Sequence, residues 1–461
     1  MEVQDIASRY QDERSRQLAT LPVGRLLVQF AMPSIIAMSA SAIYNMCDSV
    51  FIGHGAGPMA IAGLAITFPL MNISSAFGAM VGVGAGAQTS IRMGEGNRRK
   101  ALIVFGNMLR LDITIGLILT TLGLIFLDPI LTLFGASENT LPYAREYMQI
   151  ILAGNIITHT MLGMNDQLRS SGHPRTAMTA QLIAVAANIA LDALFIFGLG
   201  WGMRGAALAT VLGQLLALAF EVRFFTNRSR FVHFSREGFI FDSKVIRDIL
   251  SIGISPFLIN VGGCVVVIFL NHALLREGGA DGDLYVGVFG ITNRVAMMVV
   301  LMTMGFSQGL QPIVGFNLGA GLYDRVRGAL RVAFVSATVV MTAGYALFAA
   351  FPRVLASAFT ADPAMLDACE PAIRIMLLAF PVVGGQIITT SFFQSIREAR
   401  TAALLSVTRQ MLFLVPLLIL LPRLMGVMGV WWSMPIADLT SAVMAWILLA
   451  RQLKRLRAPG C

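Results

Sequence analysis

Long apolar runs follow one another from residue 25 almost to the end of the chain, parted only by short polar loops. No other feature limits the fold so strongly. About 20 consecutive apolar residues are needed to cross the hydrocarbon core of a bilayer, and inside that core only helices or closed barrels satisfy the backbone. Barrel strands would show as alternating segments of about ten residues. The runs here are long and continuous, which predicts helices. Only 13% of the residues are charged, against 56% hydrophobic, whereas about a quarter of a soluble chain is charged. The expectation is an all-α polytopic membrane protein. Twelve transmembrane helices are predicted, at 25–52, 58–88, 104–127, 143–168, 175–198, 204–226, 246–275, 284–312, 329–351, 366–394, 401–421 and 426–450.

The spans fall into two related halves. Pro33 has a counterpart in Pro256, and Gln88 has one in Gln311 at the same offset along the chain. After a two-residue slip, Gly94-Glu95-Gly96 corresponds to Gly319-Ala320-Gly321. The polar stretch 227–245 separates the halves. The predicted organisation is a cytoplasmic N-terminal tail at 1–24, an N-lobe of six helices at 25–226, a cytoplasmic linker at 227–245, a C-lobe of six helices at 246–450 and a basic cytoplasmic tail at 451–461. The two lobes would be related by pseudo-twofold symmetry about the membrane normal. Basic residues concentrate in alternate loops: Arg92, Arg98, Arg99 and Lys100; Arg169 and Arg175; Arg228, Arg230, Arg236 and Lys244; Arg325 and Arg327; Arg397 and Arg400. The tail adds Arg451, Lys454, Arg455 and Arg457, while the opposite loops carry only isolated Arg204, Arg276, Arg353 and Arg423. This bias puts both termini in the cytoplasm.

The net charge of +9 sits in those loops and the tail, so orientation accounts for it and no nucleic acid partner is implied. Cys47, Cys264, Cys369 and Cys461 form no C-x-x-C pair, and packing is expected of them rather than disulfide or metal use. The stretch from Met1 to Pro22 is too mixed in charge for a cleaved signal peptide. Gly53-His54-Gly55-Ala56-Gly57 and Gly198-Leu199-Gly200-Trp201-Gly202 follow no strand, so they read as turns between spans, not phosphate loops. Prolines Pro33, Pro69, Pro256, Pro381 and Pro416 lie inside predicted spans, where each removes a backbone hydrogen bond and permits a bend. No hydrolase or nucleotide-binding motif is present in the sequence. The reading is a transporter, not an enzyme, with no cofactor and with an ion gradient or the substrate's own gradient as its energy source.

Intramembrane acids mark the candidate site, because a charge in hydrocarbon costs a few kcal/mol even on lenient scales. Asp48 lies deep in the first span, on the same helix as Pro33. Asn188 and Asp192 are four residues apart, which places them on one face of the fifth span. These oxygen ligands could share a proton or hold Na+ at Asp48, Asn188 and Asp192; a buried polar pair joining helices is the plainer alternative. Asn165 and Asp166 lie near the end of the fourth span and Thr210 in the sixth. In the second half, the seventh span has Asn260 and Asn271 but no acid, the tenth has Gln386 and Gln394, and Asp438 is the one deeply placed acid. Ion coupling is therefore expected in the first half.

The stretch from Pro33 to Asp48-Ser49-Val50-Phe51-Ile52-Gly53, the loop Arg92-Met93-Gly94-Glu95-Gly96-Asn97, the segment from Asn188 through Asp192 to Phe197, and Gly205 to Thr210 together resemble the multidrug and toxic compound extrusion (MATE) transporters. Among these the chain looks most like the DinF-like prokaryotic branch, over nearly its whole length beyond the N-terminal tail. The resemblance implies a cation-coupling and substrate network of Asp48, Asn165, Asn188, Asp192 and Thr210, and bending of the first helix at Pro33 when its acid is protonated. It implies a multi-pass protein of the prokaryotic cytoplasmic (inner) membrane. The acids that the NorM-like branch uses for sodium in its second lobe have no acidic counterpart here.

The expected function is secondary-active multidrug or metabolite efflux by alternating access, exporting amphipathic, often cationic compounds in exchange for H+ or Na+. The expected partners are a small organic substrate and membrane lipid, with a monomer as the working unit. Two alternatives stand beside it. A flippase for lipid-linked saccharides would call for a more cationic cavity than the few basic residues within spans supply. A membrane-embedded lipid-modifying enzyme would need clustered acids or histidines, whereas His54, His159, His173, His233 and His272 are scattered.

Overall fold

A computed structural model describes residues 13–456. The first twelve residues of the expected tail, and Arg457 and Cys461 at the other end, lie outside the described residues. Among the described residues every regular element is helical. In chain order these are α1 (Glu13–Thr20), α2 (Val23–Ala56), α3 (Pro58–Gly94), α4 (Arg98–Ile125), α5 (Leu127–Leu133), α6 (Leu141–Ala153), α7 (Asn155–Ser170), α8 (Pro174–Asp192), α9 (Gly202–Phe225), α10 (Ser243–Gly278), α11 (Gly282–Gly319), α12 (Tyr323–Ala350), α13 (Pro352–Ser357), α14 (Pro363–Met376), α15 (Phe380–Ser395), α16 (Ala399–Val407), α17 (Val415–Met425) and α18 (Val427–Arg455). Two π-helical turns, Ala193–Gly198 and Thr408–Leu414, continue α8 and α16.

Nine of the described helices, some joined end to end, are long and apolar enough to cross a membrane, or ten with the bent pair α14–α15 counted as one span. One of the nine, Ser243–Gly319, is two helices meeting at the short turn Gly279–Asp281. The pair α6 and α7, which meet at Gly154, stands where the fourth span is expected. With these, the described helices accommodate the twelve spans expected.

Three local expectations are corrected. The span predicted at 366–394 is broken between Met376 and Phe380 and bends by 53°. Pro381 therefore starts a helix instead of bending one, because the first turn has no partner for the missing N–H in any case. Pro416, by contrast, lies inside the continuous helical segment Ala399–Met425, as expected. Gly53, His54 and Gly55 belong to the last turns of α2, and the reversal comes at Gly57 with φ 90°, a conformation glycine adopts without a Cβ clash.

The chain forms two compact units. One comprises residues 13–21, Met32–Phe257 and Gly315–Ala320; the other Pro22–Ala31, Leu258–Val314 and residues 321–456. In the first unit, Ile52, Tyr147, Ile196 and Met203 share one buried apolar cluster, and Phe105, Leu168, Phe225 and Ile249 share another. In the second, Val295, Phe348, Ile373, Phe380 and Trp431 belong to one core. Helices α2 and α10 each pass from one unit to the other, α2 between Ala31 and Met32 and α10 between Phe257 and Leu258. Pro33 and Pro256 stand within two residues of those crossings.

Two segments expected to be plain connectors are packed. Helix α1 buries Leu18 and Ala19, and Asn317 Nδ2 donates to the Leu18 carbonyl at 3.4 Å. The linker is strapped onto α4. Arg98 donates to the carbonyls of Arg228 and Arg230, both at 2.7 Å. Asn107 donates to Ile240 O at 2.9 Å, and Arg110 donates to Phe239 O.

Candidate functional site

Asp48, Asn188, Asp192 and Thr210 come together inside the first unit. Helix α2 supplies Asp48, α8 supplies Asn188 and its last residue Asp192, and α9 supplies Thr210. All four side chains are buried. Asn188 Nδ2 donates to Thr210 Oγ1 at 3.2 Å. The close approach of α8 and α9 depends on Gly213, where a Cβ would come within 2.8 Å of the Ala184 carbonyl. Small residues at a helix contact allow this spacing. Asp192 ends the α-helical part of α8, and the π turn begins at Ala193. Such turns are frequent at functional sites.

The carboxyls of Asp48 and Asp192 face one another within hydrogen-bonding reach, with Asn188 beside Asp192. By strict hydrogen-bond geometry Asp48 Oδ1, both Oδ atoms of Asp192 and Asn188 Oδ1 nevertheless have no donor. Two carboxylates this close cannot both stay ionised without something positive between them. The orphaned oxygens fit a proton shared by the pair, and equally a small hard cation that takes oxygen ligands. Two tyrosines that carry no signal in the sequence complete the cluster. Tyr147, on α6 and 2% exposed, brings its hydroxyl to Thr210. Tyr44 lies one helical turn before Asp48 and close to both acids.

Asn165 turns elsewhere. Its Nδ2 donates to Glu221 Oε1 at 2.9 Å and to the Ala177 carbonyl at 3.0 Å. Its Oδ1 accepts from Arg169 Nη1 at 2.5 Å, and Arg169 is ion-paired with Asp166. A second polar cluster thus runs through Asp166, Arg169, Asn165 and Glu221. Near Asp166 lies Asp112 on α4, fully buried, with neither carboxyl oxygen hydrogen-bonded. It fits only because residue 163 is glycine: a Cβ there would come within 2.1 Å of Asp112 Oδ2. Asp112 and Glu221 are readable as acids within apolar runs, but neither has a polar partner one turn away, and the sequence reading singles out neither.

The second unit is less bare of charge than expected. Asp438 is held by Arg409, whose Nε donates to Asp438 Oδ1 at 2.7 Å. Arg409 and Gln410 are carried on the π turn Thr408–Leu414. Gln386 Nε2 donates to Ser441 Oγ at 2.8 Å. Asn271, which stands to Asp48 as Pro256 stands to Pro33 in the repeat, has a buried Oδ1 with no donor. Arg409 lies inside the predicted span 401–421, where hydropathy alone does not make a single basic residue stand out.

A family model described as MatE matches residues 33–194 and again 252–420. The chain is 28% identical to an FAD transporter of Shewanella oneidensis, over 94% of this chain and 96% of that one. It is 25% identical to the multidrug export protein MepA of Staphylococcus haemolyticus, over 95% and 96%. Among solved structures, a transporter of the MOP superfamily from Pyrococcus furiosus superposes with a TM-score of 0.91 at 24% identity, covering 97% of this chain and 100% of that one.

Proposed function

The chain belongs to the MatE family of multidrug and toxic compound extrusion transporters, and from that premise we propose that it exports small amphipathic compounds by antiport against H+ or Na+, with Asp48, Asn188, Asp192 and Thr210 holding the coupling cation. The observation that carries this reading is the pair of enclosed carboxyls, Asp48 and Asp192, facing each other with no donor between them. Asn165 acts from the neighbouring cluster, where it positions Glu221. The working unit is a monomer in a prokaryotic cytoplasmic membrane, with both termini inside. The first unit holds residues 32–226 of the expected N-lobe, and the second holds residues 258–314 and 321–450 of the expected C-lobe.

The coupling runs through α2. When a cation is bound, Asp48 and Asp192 no longer repel, and α2 is held against α8. When it leaves, the two acids part. Helix α2 serves both compact units and carries Pro33 next to its crossing between them. A change in its hold on α8 therefore reaches both units, and this is where the bend at Pro33 would act. One charge moving inward is worth about 2.3 kcal/mol per 100 mV, and a tenfold ion gradient adds about 1.4 kcal/mol. One-to-one exchange with a neutral substrate could then sustain a gradient of several hundredfold.

The substrates are of the kind that the relatives' names indicate, drugs or a flavin nucleotide. The test is ethidium movement in proteoliposomes under an imposed pH gradient and then a sodium gradient, for wild type and Asp192→Asn. Transport driven by either gradient and lost in a folded variant supports the site and names the ion. Equal transport by the variant would remove Asp192 from the coupling machinery.

A further inference from the structure

We propose that Arg409 in the second unit is a recognition residue for an anionic group, a phosphate or carboxylate on an amphipathic substrate, presented by its one-sided ion pair with Asp438. The proposal rests on the export reading above and names a substrate class for it.

Arg409 lies ten residues into the membrane-spanning segment Ala399–Met425. At 1.5 Å per residue this is about 15 Å from the start of the segment, half the thickness of a hydrocarbon core of about 30 Å. An arginine at that depth is costly and is found facing a bundle interior or a water-filled cavity. Its surroundings neutralise its charge but leave its donors unused. The guanidinium has five N–H donors, and one of them, on Nε, serves Asp438. The Nη atoms make no hydrogen bond among the described residues. The pair is also lopsided: the Asp438 side chain is 9% exposed, while that of Arg409 is 36% exposed. An ion pair that served only to join two helices would enclose both partners and satisfy both. Here the acid is enclosed and orients the base, whose outer edge is open. A planar fork of free N–H groups matches a carboxylate or phosphate in bidentate fashion.

The neighbouring side chains extend the polar ground. Asp438 is followed one turn later on α18 by Ser441, which accepts from Gln386. Gln386 Oε1 and Gln410 Oε1 are buried with no hydrogen-bond donor. Gln410 Nε2 is spent on the Ile259 carbonyl at 3.0 Å, and its Oε1 lies against Gly262, where a Cβ would come within 1.9 Å of it, so this side chain is packed against α10. The π turn gives the local reason that Arg409 and Gln410 are held this way, because an inserted residue re-aims the side chains around it.

The test uses two probes that differ by one phosphate: riboflavin and riboflavin 5′-phosphate, bound to the purified full chain and followed by flavin fluorescence. Wild type is expected to bind the phosphate form at least tenfold more tightly. Arg409→Gln should erase that preference while leaving riboflavin within about twofold, since the charge-assisted hydrogen bonds it removes are made to the phosphate alone. The charge-balanced double variant Arg409→Gln with Asp438→Asn should behave like the single variant, and it guards against misfolding caused by an unpaired Asp438. Equal binding of the two probes by wild type would overturn the proposal, as would absence of flavin binding or equal weakening of both in the variants. Farnesyl phosphate in place of the flavin phosphate separates a lipid headgroup from a soluble anion: whichever loses more affinity in Arg409→Gln is the source. Ethidium export by the same wild-type preparation reports on the export reading alone. Failed flavin binding with intact ethidium export overturns the anion site and spares that reading.

Discussion

Tyr147 closes the first polar cluster on a side that the sequence left blank. An aromatic residue in an apolar run looks like core filling, and Tyr147 does share a buried apolar cluster with Ile52, Ile196 and Met203. Only the fold brings its hydroxyl to Thr210. By contrast, Asp48, Asn188 and Asp192 were legible, because intramembrane acids and a four-residue spacing are written in the chain itself, whereas Thr210 entered only through the resemblance. Asn165 was legible through resemblance, but its hydrogen bonds to Glu221 and Arg169 depend on side-chain directions that no spacing reveals. Tyr147→Phe keeps the ring and removes the hydroxyl. A hydrogen bond of this kind is worth about 1 kcal/mol, so apparent affinity for the coupling cation should fall about fivefold, with melting temperature nearly unchanged. Ion titration of dye transport measures it; an unchanged half-saturating concentration would leave Tyr147 a packing residue.

At the scale of elements, hydropathy located the spans because burial in lipid demands long apolar runs. It did not locate their breaks, which depend on which backbone groups find partners. The break before Pro381 and the π turns beside Asp192 and Arg409 belong to that hidden layer, as do the two places where α2 and α10 change units. Pro33 and Pro256 flank those places. Each lacks the N–H that would tie its turn to the preceding one. Pro33→Ala and Pro256→Ala should each restore that bond, stiffen the crossing and lower transport turnover severalfold, without lowering melting temperature. Lower thermal stability with unchanged turnover would mean that the prolines only pack. The linker offers a second test. Burial, and next to it the Arg98 guanidinium, holds His233 below the usual histidine range. The docked linker thus favours the neutral ring. Docking is complete above pH about 6.5 and weakens as pH falls below it, because the released linker takes up the proton more readily. Amide exchange over residues 228–240, corrected for intrinsic rates, should rise severalfold from pH 7.5 to pH 5 in wild type. His233→Gln should flatten the response, and equal protection of wild type at both pH values would rule the switch out.

For the whole molecule, the internal repeat is visible as a contact as well as a pattern. A Cβ on Gly94 would come within 2.0 Å of the Phe316 carbonyl, and a Cβ on Gly319 within 2.1 Å of the Ile91 carbonyl. The interval from Ile91 to Phe316 along the chain equals that from Gly94 to Gly319, so the crossing of α3 and α11 is its own image under the repeat. Both helix ends lie in the first compact unit, although α11 belongs to the second half of the sequence. The sequence showed the matching glycines, but it could not show that they meet. Because each glycine faces backbone, no side-chain rotation can make room for a methyl group, and the helices must move apart. Overpacking of this sort costs about 1–3 kcal/mol. Gly94→Ala and Gly319→Ala should therefore each lower the melting temperature in detergent and slow dye export. One separation of the helices accommodates both methyl groups, so the double variant should cost clearly less than the two single changes added together, the sign of a shared contact. Additive losses would mean that the two glycines sit at independent contacts, and the absence of any loss would mean that this crossing is loose enough to take a methyl on either side.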